Sequence, residues 1–541
     1  MSATTNDTQR KSLFRIPSLF EIFFGRLAKW IRQLATWRKQ GLLKRALQER
    51  HRRTMRMEVL EPRLLLSADL TAGATWGTTL TVTATDATHV QMTDGTVPNT
   101  VTAALTGDGV IKISRDTTGD ITSDTVQLDL ASLDGLNLGG ATILDLKFTG
   151  GRQTFFQDQV QLQGTGVFGH DVKVESDAAI KVNAGASLTA TGHDITLSVS
   201  ETDTGFGLSG HNPFADATHS TVTVLGNLSA SNILLTADST IDIKTDSLSF
   251  SDVAKLAFIL ADSTADVDIT GSSQITATST LALHATSTIK AVADMTSDSG
   301  HSGDNTDAAV ASVIITSDTH ARISGDAVIN TTGASLSLLA KTTNTAIAIG
   351  DGTSGGKGAT VGVTVITGAT EASVKGNAQI VGANSITISA DRSNDAIAVA
   401  KSTTGGSTDS GGGQESNKQL SDNKAGDSSG GSISFAGAVA VGTVVSHTTA
   451  YVDTTGSVTS SGKLEVSSTS VTSSQTLADG SPTAADASAG SGSGNVGIAV
   501  GVGVGDLHND AFVHDTAVSG ITAGALSVKA VMGSLDRTLG F

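Results

Sequence analysis

Few residues in this 541-residue chain carry reactive chemistry, and their placement limits what they could do. The densest polar group is His508-Asn509-Asp510-Ala511-Phe512-Val513-His514-Asp515. His508 and His514 lie six positions apart, so on a strand they share one face. A metal site needs three or four convergent ligands, and one strand supplies too few; exposed strand and turn residues are the better reading. Asp116-Thr-Thr-Gly-Asp120 and the Asp294–Asp307 segment offer oxygens of the kind that hold Ca²⁺. Neither has EF-hand spacing, and no Gly-Gly-x-Gly-x-Asp tandem occurs, so both read as solvated acidic turns and no cofactor is expected. An acid–base enzyme on this chain would need paired carboxylates, with Arg, Lys or a metal, on one face. Beyond residue 67 the Arg residues are Arg115, Arg152, Arg322, Arg392 and Arg537, in unlike contexts with no recurring Asp/Arg or Asp/His cluster. No catalytic, cofactor-binding or metal-binding residue is therefore assigned. The absence of Cys excludes disulfides, thiolate metal sites and Cys nucleophiles. The Gly-rich run Val496–Gly505 lacks the Gly-Lys-Ser/Thr ending of a phosphate loop. It alternates as a strand does, and its Gly face admits another backbone layer, inside the fold or between molecules.

The elements that would have to position any site are repeats. Ala372–Ala390 recurs in outline at Ala265–Ala285, Ala321–Ala340, Ala450–Ser468 and Ala511–Ala530. Each copy has a short alternating run, a turn, a lone aliphatic (Ile275, Ile329, Ile380, Val458, Ile521) and a second alternating run. The copies start 56, 51, 78 and 61 residues apart, as in a stacked array with elastic spacers. Composition agrees: 60 Gly, 5 Pro, 15 Phe, 3 Trp and 1 Tyr, Tyr451, suit a narrow interior of small and β-branched residues. The pattern predicts an all-β fold, an elongated right-handed parallel β-helix or β-solenoid, with coils of roughly 20–25 residues and a body on the order of 100 Å long. It divides as a β-rich capping region at 71–170 and solenoid repeats at 171–541. Segments 294–307, 401–431 and 479–494, rich in Gly, Ser and Asp, form disordered loops in this reading. The stop at Phe541 directly after a repeat leads us to expect a longer gene product.

Charge is divided unevenly. Residues 1–67 carry 15 Lys/Arg against 5 Asp/Glu, a net of +10, and the remainder 20 against 47, a net of −27. The acidic body argues against nucleic-acid binding. In residues 1–56, Ile16, Leu19, Phe20, Phe23, Leu27, Trp30, Ile31 and Leu34 form one apolar helical stripe, with Lys and Arg around the rest of the circumference. No stretch of ~18 residues is free of charge, which argues against a transmembrane span. Glu21 interrupts the apolar run, and no small-x-small site follows, so a standard secretory signal fits poorly. A basic amphipathic helix that touches a membrane surface transiently fits best; packing of its stripe on a partner is the alternative.

After this helix comes Met57-Glu-Val-Leu-Glu-Pro-Arg-Leu-Leu-Leu, in which Pro62 forces Glu61 out of helix. Leu60, Glu61, Pro62 and Arg63, then Leu65 and Leu66, resemble the LEPR-XLL domain found at the N-terminus of large, repetitive bacterial surface or secreted proteins, many of them adhesin-like. The resemblance covers residues 57–70 and the basic run from about residue 40. It implies a sorting segment read by export machinery ahead of a repeat body. The resulting expectation is an extracellular or cell-surface, adhesin-like protein, not an enzyme, that attaches multivalently to a carbohydrate or protein ligand of the cell surface or matrix. Two alternatives stay open: a β-helical polysaccharide lyase or hydrolase, and a structural filament or surface-layer component.

Overall fold

The computed structural model of the chain describes residues 69–72, 79–84, 89–94, 97–104, 110–115, 125–134, 142–149, 159–177, 179–203, 216–245, 248–251, 254–296, 308–351, 358–402, 434–480, 495–515 and 520–533. Residues 67–541 belong to one compact unit. The basic segment 1–56, the motif residues Leu60, Glu61, Pro62, Arg63, Leu65 and Leu66, and most of segments 294–307, 401–431 and 479–494 lie outside the described residues.

Period-two alternation of Val, Ile, Leu, Ala and Thr gives strands nearly throughout. They begin with β1 (Asp69–Ala72), β2 (Thr79–Ala84), β3 (His89–Asp94), β4 (Val97–Ala104), β5 (Val110–Arg115) and β6 (Thr125–Asp129), followed by a single helical turn, α1 (Leu130–Leu133). The next are β7 (Ile143–Thr149), β8 (Gln159–Gln163), β9 (Thr165–Val167), β10 (Asp171–Ser176), β11 (Ala179–Val182), β12 (Ser187–Asp203), β13 (Asp216–Val224) and β14 (Asn227–Thr245). After these come β15 (Leu248–Ser251), β16 (Ala254–Ile269), β17 (Gln274–Thr296), β18 (Ala308–Ile323), β19 (Val328–Asn330) and β20 (Ser335–Asp351). The series closes with β21 (Gly358–Gly376), β22 (Gln379–Ala383), β23 (Ser385–Lys401), β24 (Ser434–Thr454), β25 (Val458–Asp479), β26 (Asn495–Asp515) and β27 (Ile521–Gly533).

Among the described residues these strands make a 14-stranded and a 13-stranded sheet. The chain visits them in turn: β13 in the second sheet then β14 in the first, β16 then β17, and so on to β26 then β27. Successive visits pair in parallel, the arrangement of a parallel β-solenoid. Antiparallel pairing among the described strands is confined to β2–β3, β3–β4 and β15–β16. At the bend between the sheets, Gly271, Gly325 and Gly376 have φ of 70°, 70° and 77° and stack on one another. A Cβ at Gly325 would stand 2.8 Å from the Gly271 nitrogen, so close approach as well as left-handed geometry requires glycine there.

Register turns the repeat into ladders. Ile275, Ile329, Ile380, Val458 and Ile521 stack in one column, and Ala285, Ala340, Ala390, Ser468 and Ala530 in another. One detail differs from the repeat alignment: Ala321 pairs with Val267, not with Ala265, so the first copy is offset by two residues. Coils are also longer than the 20–25 residues expected for most of the stack. The step is 23 residues from Val172 to Ile195, 38 on to Ile233, 48 on to Leu281, and 78 from Ile386 to Leu464. Longer coils mean fewer rungs: eleven, from β1 to β27 through the first sheet, span about 50 Å at the usual strand spacing.

The interior has three zones. Beside the glycine bend, Leu, Ile and Val from both sheets form the main core, with Leu283, Leu338 and Ile388 fully buried in one column. Beyond it lies a seam of buried hydroxyls. Ser239 and Ser287 of the first sheet bracket Ser263 of the second, with oxygens 2.6 and 2.7 Å apart. Thr342 bonds to Thr319 and Thr370 at 2.8 and 2.7 Å. Beyond the seam a second, smaller core that includes Ile241, Ile259, Ile289, Val313 and Ile315 fills the earlier rungs, and toward the later ones the interior narrows to alanine and glycine, including Ala348, Ala398 and Ala440. Here the sheets approach until backbone meets backbone: a Cβ at Gly362 would fall 2.4 Å from the Val399 carbonyl oxygen. The large residues of these same strands point outward, in columns such as Val361, Val439, Val500 and Val363, Val441, Val502.

Candidate functional site

Near the bend, the outer face of the second sheet collects charge and aromatics. Outward positions of β16, β18, β21, β24 and β26 stack by register, so Asp266 meets His320 and Glu371, and Asp268 meets Arg322, Ser373, Tyr451 and Phe512. Arg322 grips Asp268 with both arms of its guanidinium, Nε to Oδ1 at 2.6 Å and Nη2 to Oδ2 at 2.7 Å. That bond, with the charge of Asp268 added, raises the already high pKa of Arg322 despite burial. His320 Nδ1 lies 2.6 Å from Asp266 Oδ1.

Glu371 is the hub. Ser373 Oγ, Lys375 Nζ and Tyr451 Oη donate to its Oε1 at 2.6, 2.8 and 2.8 Å. Burial alone would push this carboxyl up; the three donors overcome burial and hold it down at about 2. Tyr451 is raised in turn, by burial and then by its bond to Glu371. Its ring stacks on Phe512, centroids 4.9 Å apart and 9° from parallel, and Phe512 is 40 % exposed. The result is an aromatic plate bordered by fixed ion pairs. A general acid needs a carboxyl that keeps its proton near neutrality, and Glu371 is displaced the opposite way.

The residues singled out from sequence fall as follows. His508 and His514 do share the outer face of β26, but each goes to its own partner. His508 lies 3.5 Å from Asp506 and edge-on to His447, and His514 lies 3.0 Å from Asp453. No group of three or more His, Cys, Asp or Glu that could hold a metal ion occurs among the described residues. Asp116–Asp120, Arg152 and Arg537 lie outside them, as does most of Asp294–Asp307. Arg392 is interior, 2 % exposed, and joins the hydroxyl seam by donating to Ser317 Oγ at 2.9 Å and Thr370 Oγ1 at 3.2 Å. Desolvation lowers it to about 10, against the pull of Asp318. Asp/Arg and Asp/His clusters do not recur along the sequence, yet the fold makes such pairs in space. The pairs Asp268–Arg322 and Asp266–His320 each bridge 54 residues. Stacking the repeats in register was the signal that could have found them, once the first copy was shifted by two.

A second charged group, Asp145, Lys147, Lys173 and Glu175, sits on the outer face of the first sheet, with Lys147 2.6 Å from Glu175. Burial raises Asp145 there, opposed first by Lys173. Among the described residues no aromatic ring stacks beside it, and its Lys residues neutralise its own carboxylates. No protein-family model, curated protein or solved structure matches the chain.

Proposed function

We propose that the chain is an adhesin-like protein of the cell surface or the extracellular space. Its body is an elongated right-handed β-solenoid that attaches multivalently to carbohydrate, and its basic amphipathic N-terminal helix and Leu60–Leu66 motif serve in sorting. The observation that supports this reading best is the outward plate of Tyr451 and Phe512 set among Arg322, Asp268, Glu371 and Lys375. An exposed aromatic face covers the apolar side of a sugar ring, while fixed ionic groups beside it bond to hydroxyls. Carboxylates already ionised and engaged by partners suit binding better than proton transfer. Many weak contacts along a rigid stack would add up through effective concentration.

The test is surface plasmon resonance of the full chain over immobilised polysaccharides, alongside an assay for reducing ends. The expected result is binding that falls about tenfold in Phe512→Ala, the size of one lost stacking contact, with no release of reducing ends. Unchanged binding in that variant removes the plate from the proposal. Release of reducing ends would replace adhesion with a polysaccharide-cleaving activity.

A further inference from the structure

Beyond the charged columns, away from the bend, the same outer face of the second sheet changes character. Successive outward positions on β16, β18, β21, β24 and β26 are apolar except for Ser312 and Thr443, among them Leu256, Ile314, Val363, Val441 and Val502. We propose that this face is a self-association surface on which a second copy of the chain packs sheet against sheet.

Several observations carry this. Behind this face on β21, β24 and β26 the inward positions are mostly small, with Gly362, Ala438, Ala440 and Gly442, so on these strands the larger apolar side chains stand outside. Val502 is 38 % exposed, Val504 47 % and Ile498 53 %. From the Leu256 column to the Leu260 column no outward position is charged; acidic residues begin only with Asp262 and Asp506, one column nearer the bend. Five strands by three outward positions cover roughly 500 Å² at the standard strand and side-chain spacings. Two such faces would bury about 1,000 Å² in total, the lower bound for a specific interface. The face is already periodic, so a second copy presents the matching period, and aligned sheets interdigitate about 10 Å apart. The net charge of −17 speaks against an anionic lipid surface as the occupant and predicts a dimer that tightens with salt. The aliphatic and charged columns occupy different stretches of the same strands, so pairing through one need not cover the other. The inference does not depend on the adhesive reading.

The test is sedimentation equilibrium of the full chain across a range of protein and salt concentrations. It is compared with the triple variant Val363→Thr, Val441→Thr, Val502→Thr, whose β-branched residues keep the strand and change only the polarity of the face. The expected result is a monomer–dimer equilibrium whose Kd rises at least about tenfold in the variant, as buried hydroxyls in an apolar interface should cause, with unchanged circular dichroism and thermal midpoint. A wild-type chain that stays monomeric throughout overturns the proposal. So does a variant that dimerises as tightly, which would move the interface elsewhere. Flotation of wild-type monomer with phosphatidylcholine vesicles, under conditions where no dimer forms, would make lipid the occupant instead.

Discussion

The two ends of the long strands β20 and β21 obey the same alternation with opposite contents. Near the bend, β20 turns Leu336 and Leu338 inward; farther along, it turns Ala346, Ala348 and Gly350 inward and Ile347 and Ile349 outward. β21 does the same, with Val374 inside near the bend and Gly362 inside at the far end, where Val361 and Val363 face out. Both halves of β20 pair in unbroken register with β17 and β23, so the backbone is satisfied equally in each. What differs is the distance between sheets, and side-chain volume sets it. Leucine holds the sheets apart near the bend, and glycine lets them close beyond the seam. Strand formation and core formation are thus separable properties on these strands: near the bend they bury their large side chains inside, and at the far end they bury small ones and turn the large ones outward.

This contrast can be broken by mutation. The largest effect is expected for Leu338→Ala, which opens a cavity in the main core and should cost about 2–5 kcal/mol in chemical denaturation. An outward change of similar chemistry, Val363→Ala, should cost far less, and equal costs would erase the distinction between the halves. Next, Gly362→Val drives a side chain into the Val399 backbone, where nothing flexible can yield. Overpacking of this kind costs about 1–3 kcal/mol, and hydrogen exchange should report it around Gly362 and Val399 while Ile386–Ala390 stays protected.

The smallest effect belongs to Glu371 and sharpens the comparison of the outer faces. Its folded pKa, about 2, lies below its ordinary 4.5. Its contribution to stability is therefore fully present above pH 4.5 and is lost as the pH falls toward 2. Glu371→Gln should be less stable than the parent at neutral pH, and the gap should close across that acid window. A gap that stays constant with pH would mean that the carboxylate's charge is immaterial.

Much of this fold was legible before any coordinates. The columns of Ile275, Ile329, Ile380, Val458 and Ile521 follow directly from the repeat, since stacked coils place equivalent positions in one ladder. Coil length was not legible, because inserted segments leave the ladder intact while lengthening the path between rungs. Nor could Val496–Gly505 show which of its faces turns inward: alternation has a period but no sign, and only the approach of the opposite sheet supplies one. The candidate site stayed hidden for a related reason. The carboxylate nearest His320 and Arg322 in sequence is Asp318; Asp266 and Asp268 reach them only through parallel pairing, with an offset of two that the alanines at 265 and 321 disguise.

The hydroxyl seam has a further consequence, for how the stack avoids misalignment. An all-aliphatic ladder tolerates a slide of two residues, since in and out are preserved and one apolar side chain replaces another. In this chain such a slide would carry Ile289 into the place of Ser287, opposite Ser263, and leave buried hydroxyls facing methyl groups. Each stranded hydroxyl costs about 1–3 kcal/mol, and the penalty falls on the rungs where Ser239, Ser263 and Ser287, and Thr319, Thr342 and Thr370, bond to one another. The seam acts as the notches of a key, admitting one alignment among the several that hydrophobic patterning alone would accept.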